Sequence, residues 1–430
     1  MMVNAIMINM WGTKKMKIAI YGVSRSGKDY LLERVVAHLM AQGVSAVHIK
    51  GSSTLNELAY REYGISLKET SEEKRTVLRN LFIDIVQEKS LFYDVVFVDG
   101  HYAFIDNTSF NTVFTDADKY CYDHFFYLDT LTEKIIEFSR KNPRQQQDLT
   151  IQANEIDAWK SFEIKELDTV CNELGKELII LDENTQDCIQ FITHWVTDFN
   201  RFNYPAIAKK LVNQFLEAKD IKHSTVILLD CDNTLSENDA TYDFCDFLNI
   251  DKSLLKNIFA RDKYSSYQFF QVQKLYHRFD NKQCEKAVQH AVSKIQISNK
   301  IGEFAKQQNS QAYICAVTAG IWDIWQSKAK ELGHIDSVWG NSIDKTQTFF
   351  VTPLLKKYIT LNFQLHGIQV IAIGDSVIDI PMLEAADQGY IVAHKKLNQA
   401  VSKYFSDNPN SQIKQLFAKQ CYYPVEQLFY

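Results

Sequence analysis

Short apolar runs that stop at glycine or aspartate recur along the chain, most of them followed by a stretch with helical spacing. "KIAIYG" (17–22) precedes "KDYLLERVVAHLMAQG", and "SAVHIK" (45–50) leads towards a helical stretch from about Ser71 to Lys89. "DVVFVDG" (94–100) comes next, then "HFFYLD" (124–129), which runs into "TLTEKIIEFSRK". "ELIILD" (177–182) precedes a last helical pattern around Cys188 to Asn200. Strands separated by helices imply a mainly parallel sheet covered on both faces. The pattern restarts with "TVILLD" (225–230), gives way to a mostly helical, aromatic-rich stretch from about Ser236 to Lys306, and resumes with "AYICAVTAG" and "VIAIGDS" (370–376). The expected fold class is α/β, with two three-layer parallel-sheet domains over 1–205 and 223–430. A helical connector, 206–222, falls within "NRFNYPAIAKKLVNQFLEAKDIKH". A chain of 430 residues is long for one domain, which agrees with this division.

With 46% hydrophobic and 23% charged residues, the chain has the composition of an ordinary globular protein with real cores. A formal net charge of -6 argues against general polyanion binding, and so against nucleic acid as a partner. The eight cysteines form no CxxC pair, and several lie in apolar runs; buried thiols in a reducing compartment fit them better than disulfides or zinc. "MMVNAIMINMWG" is too short to cross a bilayer and has no basic flank, so it reads as an extra strand or as sequence upstream of a start at Met16. With no segment of membrane-spanning length, the expected location is the cytoplasm.

"LLDCDNTLSEND" (228–239) sets Asp230 and Asp232 one residue apart where a buried strand ends. Two carboxylates so close repel, and apolar surroundings make each ionisation costlier, so a hard cation is the expected compensation. In open parallel sheets this carboxyl end is where ligands bind. "VTAGIWD" (317–323) ends another strand with Thr318 and Gly320, and "AIGDSVIDIPML" (372–383) ends a third with Asp375 and Asp379; Lys356 and Lys357 lie between. Phosphoryl transfer to a carboxylate needs this set. One aspartate attacks phosphorus while its neighbour protonates the leaving alkoxide. Mg²⁺ offsets the repulsion between two anions, and the hydroxyl and lysine hold the phosphoryl oxygens.

The order DxDxT (Asp230–Thr234), Thr318, Lys356 or Lys357, and GDxxxD (Gly374–Asp379) resembles the haloacid dehalogenase-like phosphatases across about residues 223–430. The resemblance implies a Rossmann-like domain with a helical cap at about 236–306, of the phosphoserine-phosphatase-like branch. It implies Asp230 as nucleophile, Asp232 as general acid/base, Thr318 and, of the two lysines, Lys356 as phosphate holders. Mg²⁺ would lie on Asp230, the Asp232 backbone carbonyl and Asp375, supported by Asp379. In that branch an acidic residue after the first motif reads a substrate amino group, and Asp239 or Glu237 is in that region. "RDKYSSYQFFQVQKLYHRF" (261–279), with Arg261, Arg278 and several tyrosines, is placed to shape the substrate pocket.

"GVSRSGKD" (22–29) follows a strand and opens a helix, and Gly22, Gly27 and Lys28 fit GxxxxGK with Asp29 in place of the usual Ser or Thr. Glycines let backbone N–H groups turn inward around phosphate, and the helix N-terminus adds positive field. Asp99 is a second acidic group at a strand end; Arg140 and Arg144 are placed to close on phosphates, and Arg75 and Arg79 to meet an acceptor. His101 fits either a substrate contact or an ordinary loop histidine. Residues 16–200 resemble the nucleoside-monophosphate-kinase type of P-loop fold, which implies ATP or another nucleoside triphosphate as ligand. The combined expectation is a Mg²⁺-dependent phosphatase of a small phosphorylated metabolite, fused to a nucleotide-binding, kinase-like domain. Two alternatives remain: a polynucleotide kinase-phosphatase, and a phosphatase regulated by a non-catalytic nucleotide sensor.

Overall fold

The computed structural model describes residues 15–106, 109–141, 143, 150–219, 224–260, 263–298, 300–301, 312–344, 349–393 and 397–417. Two compact units divide the chain, Met1–Asp198 and Phe199–Tyr430. Arg144, Arg261, Cys421 and the stretch 1–12 lie outside the described residues.

In the first unit the main-sheet strands are β1 (Met16–Tyr21), β2 (Ala46–Lys50), β3 (Val95–Asp99), β6 (His124–Leu128) and β7 (Leu178–Leu181); β4 (Ala103–Asp106) and β5 (Ser109–Thr112) form an antiparallel hairpin. The main sheet runs β2-β3-β1-β6-β7, every pair parallel. Successive residues of β1 are buried on both faces, as an apolar run without alternation requires. Ala19 and Tyr21 face a core shared with Val96, Val98, Phe125 and Tyr127. On the other face Phe126 meets Phe191 and Trp195 of the helix Thr185–Thr197, with ring centroids 6.3 and 5.4 Å apart.

The second unit has β8 (Thr225–Leu229), β9 (Tyr313–Ile321), β10 (Ser337–Asn341), β11 (Gln369–Gly374), β12 (Gln388–Ala393) and β13 (Lys414–Phe417), in the order β10-β9-β8-β11-β12-β13 and parallel throughout. Counted within the unit this is 3-2-1-4-5-6, the doubly wound order in which ligands bind between the first and fourth strands, where the winding reverses. Both main sheets are parallel and alternate with helices along the chain, as the strand–helix alternation predicts. Ile227 and Leu229 enter one core with Ile371 and Ile373, while Val226 and Leu228 enter the opposite core with Val370 and Ala372. The helix Tyr204–Ala218 belongs to that opposite core through Tyr204, Ala208, Val212 and Phe215. The sequence reading sets 206–222 apart as a connector. Within Tyr204–Ala218 an apolar stripe at spacings of three and four faces that core.

Between β8 and β9 the described residues hold four helices: Ala240–Phe247, Lys252–Ile258, Ser266–Tyr276 and Asn281–Lys294. The insertion leaves and rejoins the sheet through paired stems. Ser236 bridges Ile297, Glu237 N–H donates to Gln296 O at 2.8 Å, and Ser298 N–H to Leu235 O at 2.9 Å. These bonds fix the inserted helices above the carboxyl ends of β8 and β9.

Candidate active site

Asp230 follows directly on β8, and its N–H donates to Ile373 O of β11 at 2.9 Å, which places it at the reversal point of the sheet. The next five residues form a wide turn closed by Leu235 N–H to Asp230 O and Ser236 N–H to Cys231 O, at 3.3 and 3.0 Å. Asn233 takes φ 57°, a left-handed value that asparagine tolerates better than most residues. The turn sends Thr234 towards the neighbouring strand end, where its Oγ1 donates to Asp375 Oδ1 at 3.2 Å.

Lys356, fully buried in the helix Pro353–Leu365, donates to Asp230 Oδ1 at 2.7 Å and to Asp379 Oδ1 at 2.6 Å. Lys357 is only half-buried, so the structure brings Lys356 to the site. Asp379 is fixed through its other oxygen, which accepts from Asp375 N–H, Ser376 N–H and Ser376 Oγ at 3.0–3.1 Å. Gly374 makes room for this carboxylate, since a Cβ there would lie 2.4 Å from Asp379 Cγ.

Burial pushes the Asp230 carboxyl up to about 7, with the charge of Asp379 adding to it and Lys356 opposing. Asp375 is held well above the usual carboxylate range by burial and then by Asp230 and Asp379. For Lys356 burial alone lowers the pKa, but the two carboxylates outweigh it and keep the ammonium charged. One lysine cannot neutralise three acids. Asp230, Asp375 and Asp379 each offer an oxygen within 4.8 Å of the others, a spacing that one hard divalent cation bridges.

The Asp232 side chain stands outside that group. Its Oδ1 accepts Ala240 N–H at 2.8 Å, at the positive end of a cap helix, and its Oδ2 accepts Trp325 Nε1–H at 3.2 Å. Burial, then Asp239 and Asp230, raise its pKa well above normal, so it holds a proton readily. Thr318 sits where β9 bulges. Val317 pairs Trp339 and Ile321 pairs Asn341, so four residue steps on β9 span two on β10. The bulge turns Thr318 and Gly320 into the site, and Thr318 Oγ1 accepts Gly320 N–H at 2.9 Å.

A cavity of about 410 Å³ opens over Asp230, Asp232, Thr318, Lys356 and Asp375 and is lined on its other side by cap residues. Asp239 lines it, whereas Glu237 is exposed and does not. Trp325 has no signal in the sequence beyond lying near the second motif, and the hydrogen bond of Thr234 becomes legible only once two strand ends meet.

In the first unit β1 and β3 pair with Ile20 opposite Asp99, which sets the glycine loop beside that carboxylate. Gly22 has φ 152° and lies so near Leu128 O that a Cβ would stand 2.9 Å from it; Gly27 has φ 93°. Thr130 Oγ1 donates to Ser26 O at 2.6 Å and pins the loop from the end of β6. Lys28 is buried, its ammonium turned onto Gly22 O at 2.6 Å and Val23 O at 3.2 Å. Asp99 accepts His48 Nε2–H at 2.8 Å and Gly51 N–H at 3.1 Å. Burial opposes its ionisation, but His48 and then Lys28 outweigh that and hold its pKa below normal. Asp29, His48 and Asp99 form a second group with ligand atoms within 4.8 Å, to which His48 is an addition no sequence motif announces. Arg140 is exposed at the end of the helix Thr132–Lys141. Arg75 and Arg79 turn onto Glu72 at 3.3 and 2.7 Å. His101 stacks near Trp159 with ring centroids 6.2 Å apart.

No protein-family model and no curated protein matches the chain. Solved structures do match part of it. A phospho-aspartyl intermediate analogue of phosphoserine phosphatase is 19% identical with a TM-score of 0.34, over 45% of this chain and 94% of that one. A substrate-bound phosphoserine phosphatase complex is 19% identical with a TM-score of 0.33, over 42% and 91%. A phosphoserine phosphohydrolase-like protein from Francisella tularensis subsp. tularensis SCHU S4 is 15% identical with a TM-score of 0.28, over 43% and 99%. Identities and scores this low carry no conclusion about this chain.

Proposed function

We propose that the second unit is a phosphomonoester hydrolase that uses Asp230 as nucleophile and Mg²⁺ as cofactor, on a small phosphorylated metabolite. The observation that carries this reading is the pairing of Lys356 with both Asp230 and Asp379 beside Asp375, at the strand ends where the winding reverses. A carboxylate held by one ammonium beside two further acids suits attack on a phosphorus whose oxygens a cation has partly neutralised.

In the first half-reaction Asp230 forms an oxygen–phosphorus bond and the ester oxygen–phosphorus bond breaks, while Asp232 gives its proton to the departing alkoxide. In the second, Asp232 takes a proton from water, whose oxygen attacks the aspartyl phosphate and releases inorganic phosphate and free Asp230. The raised pKa of Asp232 favours the protonated starting form. Thr318 and Lys356 hold the phosphoryl oxygens. Asp230, Asp375 and the Asp232 backbone carbonyl, supported by Asp379, would hold Mg²⁺, which would supply charge neutralisation at phosphorus. The test is hydrolysis of a generic phosphomonoester with Mg²⁺. Asp230→Asn abolishes turnover and leaves the protein folded, whereas full activity in that variant rules out Asp230 as nucleophile.

The first unit is read as a nucleoside-triphosphate-binding module built on Gly22, Gly27, Lys28, Asp29 and Asp99, supported by the glycine geometry at 22 and 27 and by the adjoining acid at 99. Asp29, standing where a hydroxyl is usual, favours nucleotide sensing as a second reading beside phosphotransfer. ATP consumption across an acceptor panel separates the two, because a sensor changes phosphatase kinetics without consuming ATP.

A further inference from the structure

The cap side of the cavity is walled by aromatic rings. Phe259 meets Tyr264 edge to face, with centroids 5.2 Å apart at 80°, and tilts onto Phe269 at 5.6 Å and 58°. Tyr242, Tyr276 and Phe350 line the same space. These rings come from separate parts of the second unit. Tyr242 lies in Ala240–Phe247, Phe259 follows Lys252–Ile258, Phe269 and Tyr276 lie in Ser266–Tyr276, and Phe350 comes from the segment before Pro353. Aromatic surface concentrated on one side of a pocket, opposite a floor with Lys356, Thr318 and a group of acids spaced for a divalent cation, fits a ligand with an anionic end and a flat apolar end.

Charges on the cap side are few. Asp239 Oδ1 accepts Thr241 N–H at 2.9 Å and so caps the helix Ala240–Phe247. Glu237 faces solvent. Lys256 also lines the cavity and disfavours a second cation there. The cavity of about 410 Å³ falls in the range of roughly 300–1,000 Å³ typical of small-molecule sites.

We infer that the alcohol half of the substrate carries a planar aromatic or heteroaromatic ring, held by Phe259, Tyr264 and Phe269 while its phosphoryl group reaches Asp230. The inference rests on the phosphomonoesterase reading and narrows its substrate class. Ring edges and faces on the protein meet ring faces and edges on the ligand, a match that an aliphatic chain does not provide.

The test compares kcat/KM of the full chain with Mg²⁺ for phosphotyrosine and pyridoxine 5′-phosphate against O-phosphoserine, glycerol 3-phosphate and phosphocholine. At least one ring ester is expected to exceed all three others by tenfold or more. Phe259→Ala and Phe269→Leu are expected to compress that ratio, by roughly fivefold or more for the alanine variant, chiefly through KM. The ratio is internal to each protein, so partial loss of folded material cancels. An aliphatic or quaternary-ammonium ester turned over as well as the ring esters overturns the inference, as does a ratio unchanged in both variants. If no ester is hydrolysed, the phosphatase reading itself has failed, and binding decides the ring question separately. Calorimetry showing tighter binding of phosphotyrosine than of O-phosphoserine, lost in Phe259→Ala, supports it, and equal binding overturns it.

Discussion

Lys356 Nζ lies 2.7 Å from Asp230 Oδ1, and the lysine side chain has no exposed surface. Its only other carboxylate partner among the described residues is Asp379, at 2.6 Å. Removing the ammonium leaves two buried acids without compensation, which is costlier than losing a surface pair. Lys356→Ala is therefore expected to lower unfolding free energy by about 3–5 kcal/mol in urea titration and to abolish hydrolysis. Lys357→Ala, at a half-buried position on the same helix, is expected to stay within roughly 0.5 kcal/mol of the parent and keep its activity. Equal effects at the two positions would remove Lys356 from its assigned role.

Gly320 touches the second carboxylate. A Cβ there would stand 2.2 Å from Asp232 Oδ2 and 3.1 Å from Thr318 Oγ1, and Asp232 is already tied to Ala240 N–H and Trp325 Nε1–H. Gly320→Ala must displace the Asp232 carboxyl, the proposed general acid. The expected result is a fall in kcat of about 10²–10⁴-fold, the usual worth of positioned acid–base catalysis. Steady-state kinetics with a good and a poor leaving group check this, because a poor leaving group depends more on the displaced proton donor and loses more rate.

Much of this site was legible because its residues sit at strand ends, where an apolar run stops and a carboxylate begins. Asp230 and Asp375 are each announced this way, whereas Thr318 is marked by the hydroxyl and glycine of "VTAG" within β9. The choice between Lys356 and Lys357 was not, since adjacent positions on a helix differ by about 100° in direction and only the packed helix decides which points inward. Trp325 and His48 act on the sites through hydrogen bonds to Asp232 and Asp99, contacts between residues 93 and 51 apart in sequence. Such pairs follow from sheet order, which strand patterns alone leave open. In the second unit the sequence reading also leaves out β10, β12 and β13, for a different reason: "SVWGN" and "QGYIVA" each contain a glycine, and "KQLF" alternates too briefly to stand out.

Asp375, Asp230 and Asp379 repel one another without a divalent cation, and the raised pKa of Asp375 records first its burial and then the charges of Asp230 and Asp379. In EDTA, Asp375→Asn is expected to be at least as stable as the parent, with a weaker loss of stability as pH rises above the ordinary aspartate range, because the neutral amide has no proton to lose. With Mg²⁺ at a hundred times its dissociation constant the parent gains about 2.7 kcal/mol, and the variant gains less. Thermal unfolding with and without Mg²⁺ tests both halves, and a Mg²⁺ shift of equal size in both proteins would place the cation elsewhere.

The turn of Lys28 onto Gly22 O and Val23 O keeps a buried ammonium inside the glycine loop. A triphosphate entering the loop competes for that ammonium, so Lys28→Ala is expected to weaken ATP binding at least tenfold in calorimetry. Gly27→Ala strains a φ of 93° by about 1–2 kcal/mol and is expected to weaken binding as well by distorting the loop. Unchanged ATP affinity in Lys28→Ala removes the loop as the nucleotide site.

Glu163 is fully buried in the first unit, where Oε1 accepts Tyr102 N–H at 2.9 Å and Ala103 N–H at 3.0 Å, and Oε2 lies 3.1 Å from the Tyr127 hydroxyl. Burial raises its pKa more than these bonds lower it. The folded chain therefore holds this proton more tightly than the unfolded chain. The stability it contributes is complete below the ordinary glutamate range and is lost as pH rises through the raised value. Glu163→Gln keeps an acceptor for the two backbone N–H groups and cannot ionise, so the fall in unfolding free energy between acidic and neutral pH is expected to flatten. Glu163→Ala leaves Tyr102 and Ala103 N–H unpaired, at a cost of about 1–3 kcal/mol for each group left without a partner. Urea titrations at several pH values from acid to neutral resolve the three proteins. A parent whose stability rises with pH across the same interval as the Gln variant would show that Glu163 is ionised throughout.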